Sequence, residues 1–482
     1  MKPVEPRTVL LIHPLGYEPE AAQGDIARLA NLMPPLGLAS IAAYLELHGI
    51  RADIIDCFAH PENSDHKIRQ YVRTERPAFV GLTCTTSSFP DAIRLLGMVK
   101  AENSNVRTVL GGPHVSALQR QVVEEYPEVD YVVVGEGEET LRCLVDNEGE
   151  AEGIPGLVHR NEEGVAFTGF RRELLELDGL PFPAYEKLDG FPDLYTLPIF
   201  NYPRTPNTSC VSSRGCPYQC SYCDRSVFRR SFRFNSAEYL YEHLKYLKNR
   251  WGMRHINFYD DQFTFDRERV ERFCRRMIDA PLGMTYNCAV RAEHVDFELL
   301  KMMKASGCWM VSLGVETGDP ELLARHRQNA DLDLLARRIR EIKRAGMRTK
   351  ALLMMGLPGE TEQSIRRSMD YVFSLPIDDF NLSKFTPFPG SPLYESIEDH
   401  GEFEEDYEKM DCLHFQFVPE GMTRERMREL YRLYYKSHFT RPKVLWGYLT
   451  MLWKSPDSWR RFMLSIGDFL RFAFSDERNP GA

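Results

Sequence analysis

The chain has 482 residues, 43% hydrophobic and 27% charged, which is the balance of an ordinary globular protein long enough for two or three domains. Lys and Arg total 60 against 70 for Asp and Glu; the net charge of −10 argues against nucleic acid as a partner, because phosphate binding needs a basic surface. No apolar run approaches the roughly 20 residues of a membrane span, the first apolar run reads as a strand rather than a signal segment, and eleven cysteines without a disulfide-like framework fit a reducing cytoplasm.

From the start, short apolar runs alternate with helical periodicity. "TVLLIHP", "ADIIDC", "AFVGLTC", "RTVLGG" and "DYVVVGEGE" read as buried strands, and "GLASIAAYLELHG" and "FPDAIRLLGMVKAEN" as helices between them. This predicts an α/β, doubly wound, Rossmann-like parallel sheet over residues 1–145. Ligands of such sheets bind beyond the strand C-termini. The loops there are rich in hydroxyls and glycines: "TCTTSS" with Thr83, Thr86 and Ser87, "GGPHVS" with Gly111, Gly112 and His114, and "GEGEET" with Gly135, Glu136 and Gly137. Such a rim could take a large cofactor, although ordinary loop chemistry would look much the same.

Residues 146–205 change character. "IPGLVHRNEEGVAFTG" reads as a hairpin, and the Pro- and Gly-rich stretch after it as an interdomain crossing. Over 206–395 the alternation resumes. Six βα units are expected, enough for a partial (β/α)6 TIM barrel, whose chemistry would sit at the strand C-termini. Asp260, Asp261, Arg291 and Glu316 stand at such ends.

Just after the first of these strands comes "SSRGCPYQCSYCDRS". It places Cys216, Cys220 and Cys223 at C-x3-C-x2-C, with no fourth cysteine at matching spacing. Structural zinc takes four protein ligands, and so does a fully protein-held four-iron cluster. Three thiols leave one metal corner for another molecule.

This arc, with Tyr222 before the third cysteine, resembles the radical S-adenosylmethionine (SAM) superfamily over roughly residues 206–395. The resemblance implies a 4Fe-4S cluster on Cys216, Cys220 and Cys223, with SAM chelating the open iron. Carried over position by position, it implies that Asp260 or Asp261, in "FYDDQ", meets the methionine amino group. It brings Tyr222 and the glycine motif "MMGLPGE", with Gly356 and Gly359, to adenine, and Arg291 and Glu316 to the ribose or carboxylate. Zinc is the rival occupant of the cysteines.

Together with "GGPHVS", "VVVGEGEETL" and "LPFPAY", the chain resembles the cobalamin-dependent radical SAM class. That implies cobalamin on the rim of the first domain. Many cobalamin domains carry D-x-H-x-x-G; here "LIHPLG" keeps His13 and Gly16 but has Leu11 where Asp would orient the imidazole. Lacking that carboxylate, His13 is poorly supported as a cobalt ligand, and cobalamin is expected without its own base or a protein histidine.

Residues 396–482 are expected to form a helical C-terminal region. Val444–Trp453 holds ten residues without charge, too short to span a bilayer, so a helical lid is expected, with membrane-surface contact as the sharper alternative. The resemblance implies C-methylation of an unactivated carbon on a bulky, hydrophobic small molecule, with flavodoxin or ferredoxin as reductant. The alternatives are an oxidative cyclase like the anaerobic magnesium-protoporphyrin monomethyl ester cyclase, and a non-catalytic cobalamin or redox sensor. A methylthiotransferase would need further cluster cysteines, and Cys57, Cys84 and Cys143 read instead as core thiols.

Overall fold

The computed structural model describes residues 8–16 and 32–464. Strands β1 (Thr8–His13), β2 (Arg51–Asp56), β3 (Phe79–Thr83), β4 (Arg107–Gly111) and β5 (Tyr131–Val133) form a parallel sheet in the order β2-β1-β3-β4-β5. β1 is apolar throughout because both its faces are covered. Leu10 and Ile12 face the helices Ser64–Glu75 and Phe89–Glu102, while Val9 and Leu11 face Leu36–Leu47 and Glu138–Asp146. Burying each such side chain contributes roughly 1.5–3 kcal/mol. The chain leaves β1 for β2 on one side and reaches β3 on the other, so the strand order reverses beside β1. That reversal opens a crevice at the strand C-termini.

The expected hairpin forms as β6 (Leu157–Asn161) and β7 (Gly164–Phe167), and it pairs antiparallel with β5. The sheet therefore runs on to Phe167, past the boundary expected at 145. Residues 168–206 hold only short 3-10 turns.

A second sheet begins with β8 (Asn207–Cys210). A two-residue antiparallel pair, β9 (Ser213–Arg214) with β10 (Arg233–Phe234), then brackets the cysteine arc. β11 (His255–Phe258), β12 (Thr285–Val290), β13 (Cys308–Glu316), β14 (Arg348–Met355) and β15 (Asp379–Lys384) follow in sequential, all-parallel order. This is an open, six-stranded partial barrel. Its helices start cleanly: Ser236, Asp266, Asp296, Asp319, Asp331 and Thr361 each accept a bond from the third backbone N–H of the helix that follows. Each such cap is worth about 1 kcal/mol.

The described part of the C-terminal region is mostly helical, as expected, with one short sheet. It opens with an antiparallel pair, β16 (Gly401–Phe403) and β17 (Phe417–Pro419). Helix Arg424–Phe439 then buries Met427, Leu430 and Tyr434 against the barrel core. The helices Pro442–Leu449, Met451–Lys454 and Pro456–Leu464 leave Trp446 and Trp453 about two-thirds exposed, at 64% and 65%. No helix among the described residues is long and apolar enough to cross a membrane.

Candidate active site

The two sheets meet across one chamber of about 860 Å³. On one side its wall is built from the C-terminal ends of β1, β3, β4 and β5: Leu11, Leu82, Thr83, Val109, Gly111 and Val133. On the other it is built from the ends of β8, β11, β12 and β13: Val211, Asp261, Val290, Arg291 and Glu316. The ligand-binding ends of two separate folds thus open into one space.

On the N-terminal side, Thr83, Thr86, Gly111, Gly112, Gly135, Glu136 and Gly137 line the chamber. Gly112 has φ +105°, and a Cβ there would lie 2.4 Å from the Cys84 carbonyl oxygen. Only glycine lets the β4 loop close over β3 at this point. Ser87 and His114 do not reach the wall. His114 is buried with Nδ1 3.2 Å from Thr86 Oγ1, its ring against Phe89 and Tyr407, and burial pulls its pKa down to about 4. A glycine-floored crevice with a hydroxyl rim suits the broad face of a corrin.

His13 lies at the end of β1 but does not line the chamber; Leu11 does. The expectation that His13 lacks a carboxylate partner is corrected. The parallel register sets His13 opposite Asp56 on β2, and Nδ1 lies 2.9 Å from Asp56 Oδ1. Asp56 also accepts from the Tyr195 hydroxyl at 2.9 Å and from Phe58 N at 3.0 Å.

On the barrel side, Cys216, Cys220 and Cys223 all line the chamber. The turn that starts their arc requires glycine: Gly215 has φ +85°, and a Cβ would sit 2.2 Å from Ser231 O. Among the described residues, no group of three or more His, Cys, Asp or Glu is arranged around a single-ion site. A four-iron cluster takes its thiolates on separate irons, so its ligands need not converge on one point; the three thiols share one wall of the chamber. Arg291 Nη1 lies 3.9 Å from Cys220 Sγ, and its other nitrogens donate to Glu293 Oε1 at 2.6 Å and Gln328 O at 2.6 Å.

The adjacent carboxylates Asp260 and Asp261 do different things. Asp260 is buried and accepts from Ser212 N at 2.5 Å, Ser212 Oγ at 2.5 Å and Ser213 N at 3.0 Å, tying the start of the cysteine arc to β11. Asp261 faces the chamber, and burial together with Asp260 raises its pKa. Tyr222 and Glu316 also face the chamber. Glu316, at φ +61°, is a strained strand end of the kind that clusters at functional sites. Burial raises its pKa against the pull of Arg327 and Tyr222.

Gly356 and Gly359 are not on the wall. Gly356 packs near Met427, Phe385 and Phe415, and Gly359 closes on Arg325. The same motif carries Glu360, a fully buried carboxyl that accepts from Gly356 N.

Sequence reading missed several chamber groups: Arg214, Glu138, Ser40, Gln262 and Arg327. Gln262 adjoins the acidic pair in "FYDDQ", Arg214 lies within "SSRGCPYQCSYCDRS" and Glu138 within "GEGEET", while Ser40 and Arg327 belong to no motif.

Residues 23–145 match the B12 binding domain family and residues 210–372 the Radical SAM superfamily. An uncharacterized methyltransferase of Pyrococcus horikoshii is 30% identical over 418 residues, covering 86% of this chain and 89% of that one. The anaerobic magnesium-protoporphyrin IX monomethyl ester cyclase of Rubrivivax gelatinosus is 27% identical, covering 89% and 77%. In fold, the chain is similar to the radical SAM methyltransferase TsrM from Kitasatospora setae, with TM-score 0.65 and 19% identity, over 82% of this chain and 78% of that one.

Proposed function

This chain belongs to the cobalamin-dependent radical SAM family, and on that premise we propose that it transfers a methyl group to an unactivated carbon of a bulky, largely apolar small molecule. It is an enzyme whose cofactors are a 4Fe-4S cluster, SAM and cobalamin. The observation that carries the reading is the shared chamber: the cysteine arc and the glycine rim open into one space rather than two. When bound, these groups supply one-electron cleavage of SAM, a carbon-centred radical on the substrate, and the methyl group.

The protein's own part is to position and to shield. Cys216, Cys220 and Cys223 would hold the cluster, with the Arg291 guanidinium beside one sulfur. Asp261, on the wall, would accept from the methionine amino group of SAM, and Tyr222 and Glu316 would meet its nucleoside. Asp260 holds the cysteine arc in register through two backbone N–H groups and one hydroxyl. Val211, Val290 and Leu352 give the chamber an apolar lining, which keeps water from reactive species.

Anaerobic incubation of the reconstituted protein with SAM and dithionite tests this. 5′-Deoxyadenosine and S-adenosylhomocysteine should both accumulate with substrate, and the product should gain one methyl group. An oxidative cyclase is the second reading, favoured by the Rubrivivax relative; its product would gain no methyl group. Absence of SAM cleavage under strong reductant would favour a sensor. Metabolites accumulating in a deletion strain, read by mass spectrometry, would name the substrate. The exposed Trp446 and Trp453 support contact of the C-terminal helices with a membrane surface, and a flavodoxin or ferredoxin would supply the electron.

A further inference from the structure

Beside the chamber lies a second cavity, of about 1450 Å³. Its walls come from the loop after β7 (residues 168–174) and from the segment 225–231 that follows the cysteine arc. The two cavities share Gly135, Glu136 and residues 225–229, so that segment is a partition with one face on each.

The second cavity carries an unusual charge. Arg171, Arg172, Arg225, Arg229 and Arg230 line it, against the carboxylates of Glu136 and Glu173 alone. Glu136 is already taken by Arg214 and Arg233. This is a cationic recess in a chain of net charge −10. The partners of the five arginines are uncharged. Arg171 donates to Thr140 Oγ1 at 3.1 Å and Pro155 O at 3.4 Å, and Arg225 to Tyr218 O at 3.2 Å. Arg229 lies over the Phe170 ring at 4.3 Å, and Arg172, Arg229 and Arg230 are exposed. Among the described residues no ion pair takes up any of the five. Five guanidinium groups facing Glu173, with Glu136 already paired, repel one another, and an anion relieves that. The guanidinium fork matches a carboxylate or phosphate in two-point geometry.

We propose that this cavity seats an oxyanion group of the substrate, a carboxylate or phosphate, while the apolar body reaches over residues 225–229 into the cofactor chamber. The inference rests on the methyl-transfer reading and narrows it: the substrate is amphipathic and anionic at one end. Val227 and Phe228 on the partition and Phe170 and Leu174 opposite give the connecting part an apolar path. An acidic reductant protein is the competing partner for arginines, but a recess that shares the wall of residues 225–229 with the chamber favours a small molecule that spans both.

The test uses the holoenzyme, loaded with cluster and cobalamin, and phenyl phosphate as the probe, with phenol as its uncharged counterpart. Calorimetry should show binding of phenyl phosphate and none of phenol. In the double variant R172E/R230E the affinity for phenyl phosphate should fall by about tenfold or more, with iron content, cobalamin content and Tm at wild-type values. The milder pair R172Q/R230Q, measured alongside, should lose less and guards against misfolding of the first. Unchanged affinity in both variants overturns the proposal, as does wild-type protein that fails to prefer phenyl phosphate to phenol. Loss of cobalamin would instead give the arginines to the cofactor. Slowed reduction by flavodoxin with intact phenyl phosphate binding would give them to the reductant. Wild-type SAM cleavage is scored separately: if it fails while phenyl phosphate binds, the methyl-transfer reading falls and the anion site does not.

Discussion

Arg214, two residues before Cys216, reaches out of the barrel and donates through Nη2 to Glu138 Oε1 of the N-terminal domain at 2.5 Å. Its Nη1 donates to Glu136 Oε2 at 2.5 Å, and Glu138 also accepts from Ser40 Oγ at 2.8 Å. The ion pair joins segment 135–138 of the first domain to the start of the cysteine arc, so it sets the spacing between the two walls of the chamber.

Arg214→Met should therefore destabilise the protein by about 3–5 kcal/mol near neutral pH, because it leaves Glu138 buried without a counter-charge. Burial pushes the Glu138 pKa up, but Arg214 and Ser40 outweigh it and hold it below the usual carboxylate value. In the wild type this contribution is complete above the unfolded pKa and is lost as pH falls through the folded one. In the variant burial is opposed only by the Ser40 hydroxyl and a backbone N–H, so the pKa rises and Glu138 can be protonated in place. The cost should then shrink between about pH 7 and pH 5, as followed by denaturant unfolding. A cost that does not vary with pH would contradict the pairing.

Asp260 and Asp261 should separate cleanly under substitution. Asp261→Asn should keep the cluster absorbance and weaken SAM binding by about tenfold or more, as expected when a charge-assisted bond is lost. Asp260→Asn removes the negative charge that three donors hold and puts an amide NH2 in place of one of its two accepting oxygens. It should lower stability and iron content together. Equilibrium dialysis with SAM and iron assay read the two effects apart.

Replacing Cys216, Cys220 and Cys223 together by Ala should abolish iron binding, and retention of a full cluster would remove the assignment. Arg291 offers a finer test. A cation near a cluster sulfur stabilises the reduced, more negative state. Arg291→Met should lower the cluster midpoint potential in a redox titration followed by electron paramagnetic resonance, with iron content unchanged.

What was legible in the sequence was local. The buried strands showed as apolar runs because both sheet faces are covered, and the cysteine arc showed because its spacing lies within eight residues. What was illegible comes from chain segments far apart. Asp56 meets His13 only through the strand register, and Arg214 meets Glu138 only across the domain junction. The arginine recess forms where residues 171–172 and 225–230 fold together, while the composition is acidic overall. β16 and β17 were read as helical territory because three-residue strands carry too little alternation to recognise.

Glu360 gives a pH signature opposite in sign to that of Glu138. Burial raises its pKa from 4.5 to about 8. Between those values the unfolded chain has lost this proton and the folded chain has kept it, so stability falls as pH rises through the window. Glu360→Gln removes the titration. The variant should match the wild type near pH 5 and exceed it by a few kcal/mol near pH 8, measured by denaturant unfolding.

The place of His13 bears on how a cobalt would be held. Asp56 can orient its imidazole after all, at 2.9 Å, which restores the second half of a ligand pair. Position argues the other way. Asp56 is also bound by Tyr195 and Phe58 N, the His13 ring stacks on Phe58 with centroids 5.0 Å apart, and the chamber wall at β1 is Leu11. The ring is thus held in a strand-end cluster rather than presented to the chamber. His13→Ala should keep cobalamin through gel filtration and keep most activity. The cobalt(II) electron paramagnetic resonance spectrum should show no nitrogen superhyperfine splitting in either protein. Splitting present in the wild type and lost in His13→Ala would make His13 the axial ligand, with Asp56 as the group that orients it.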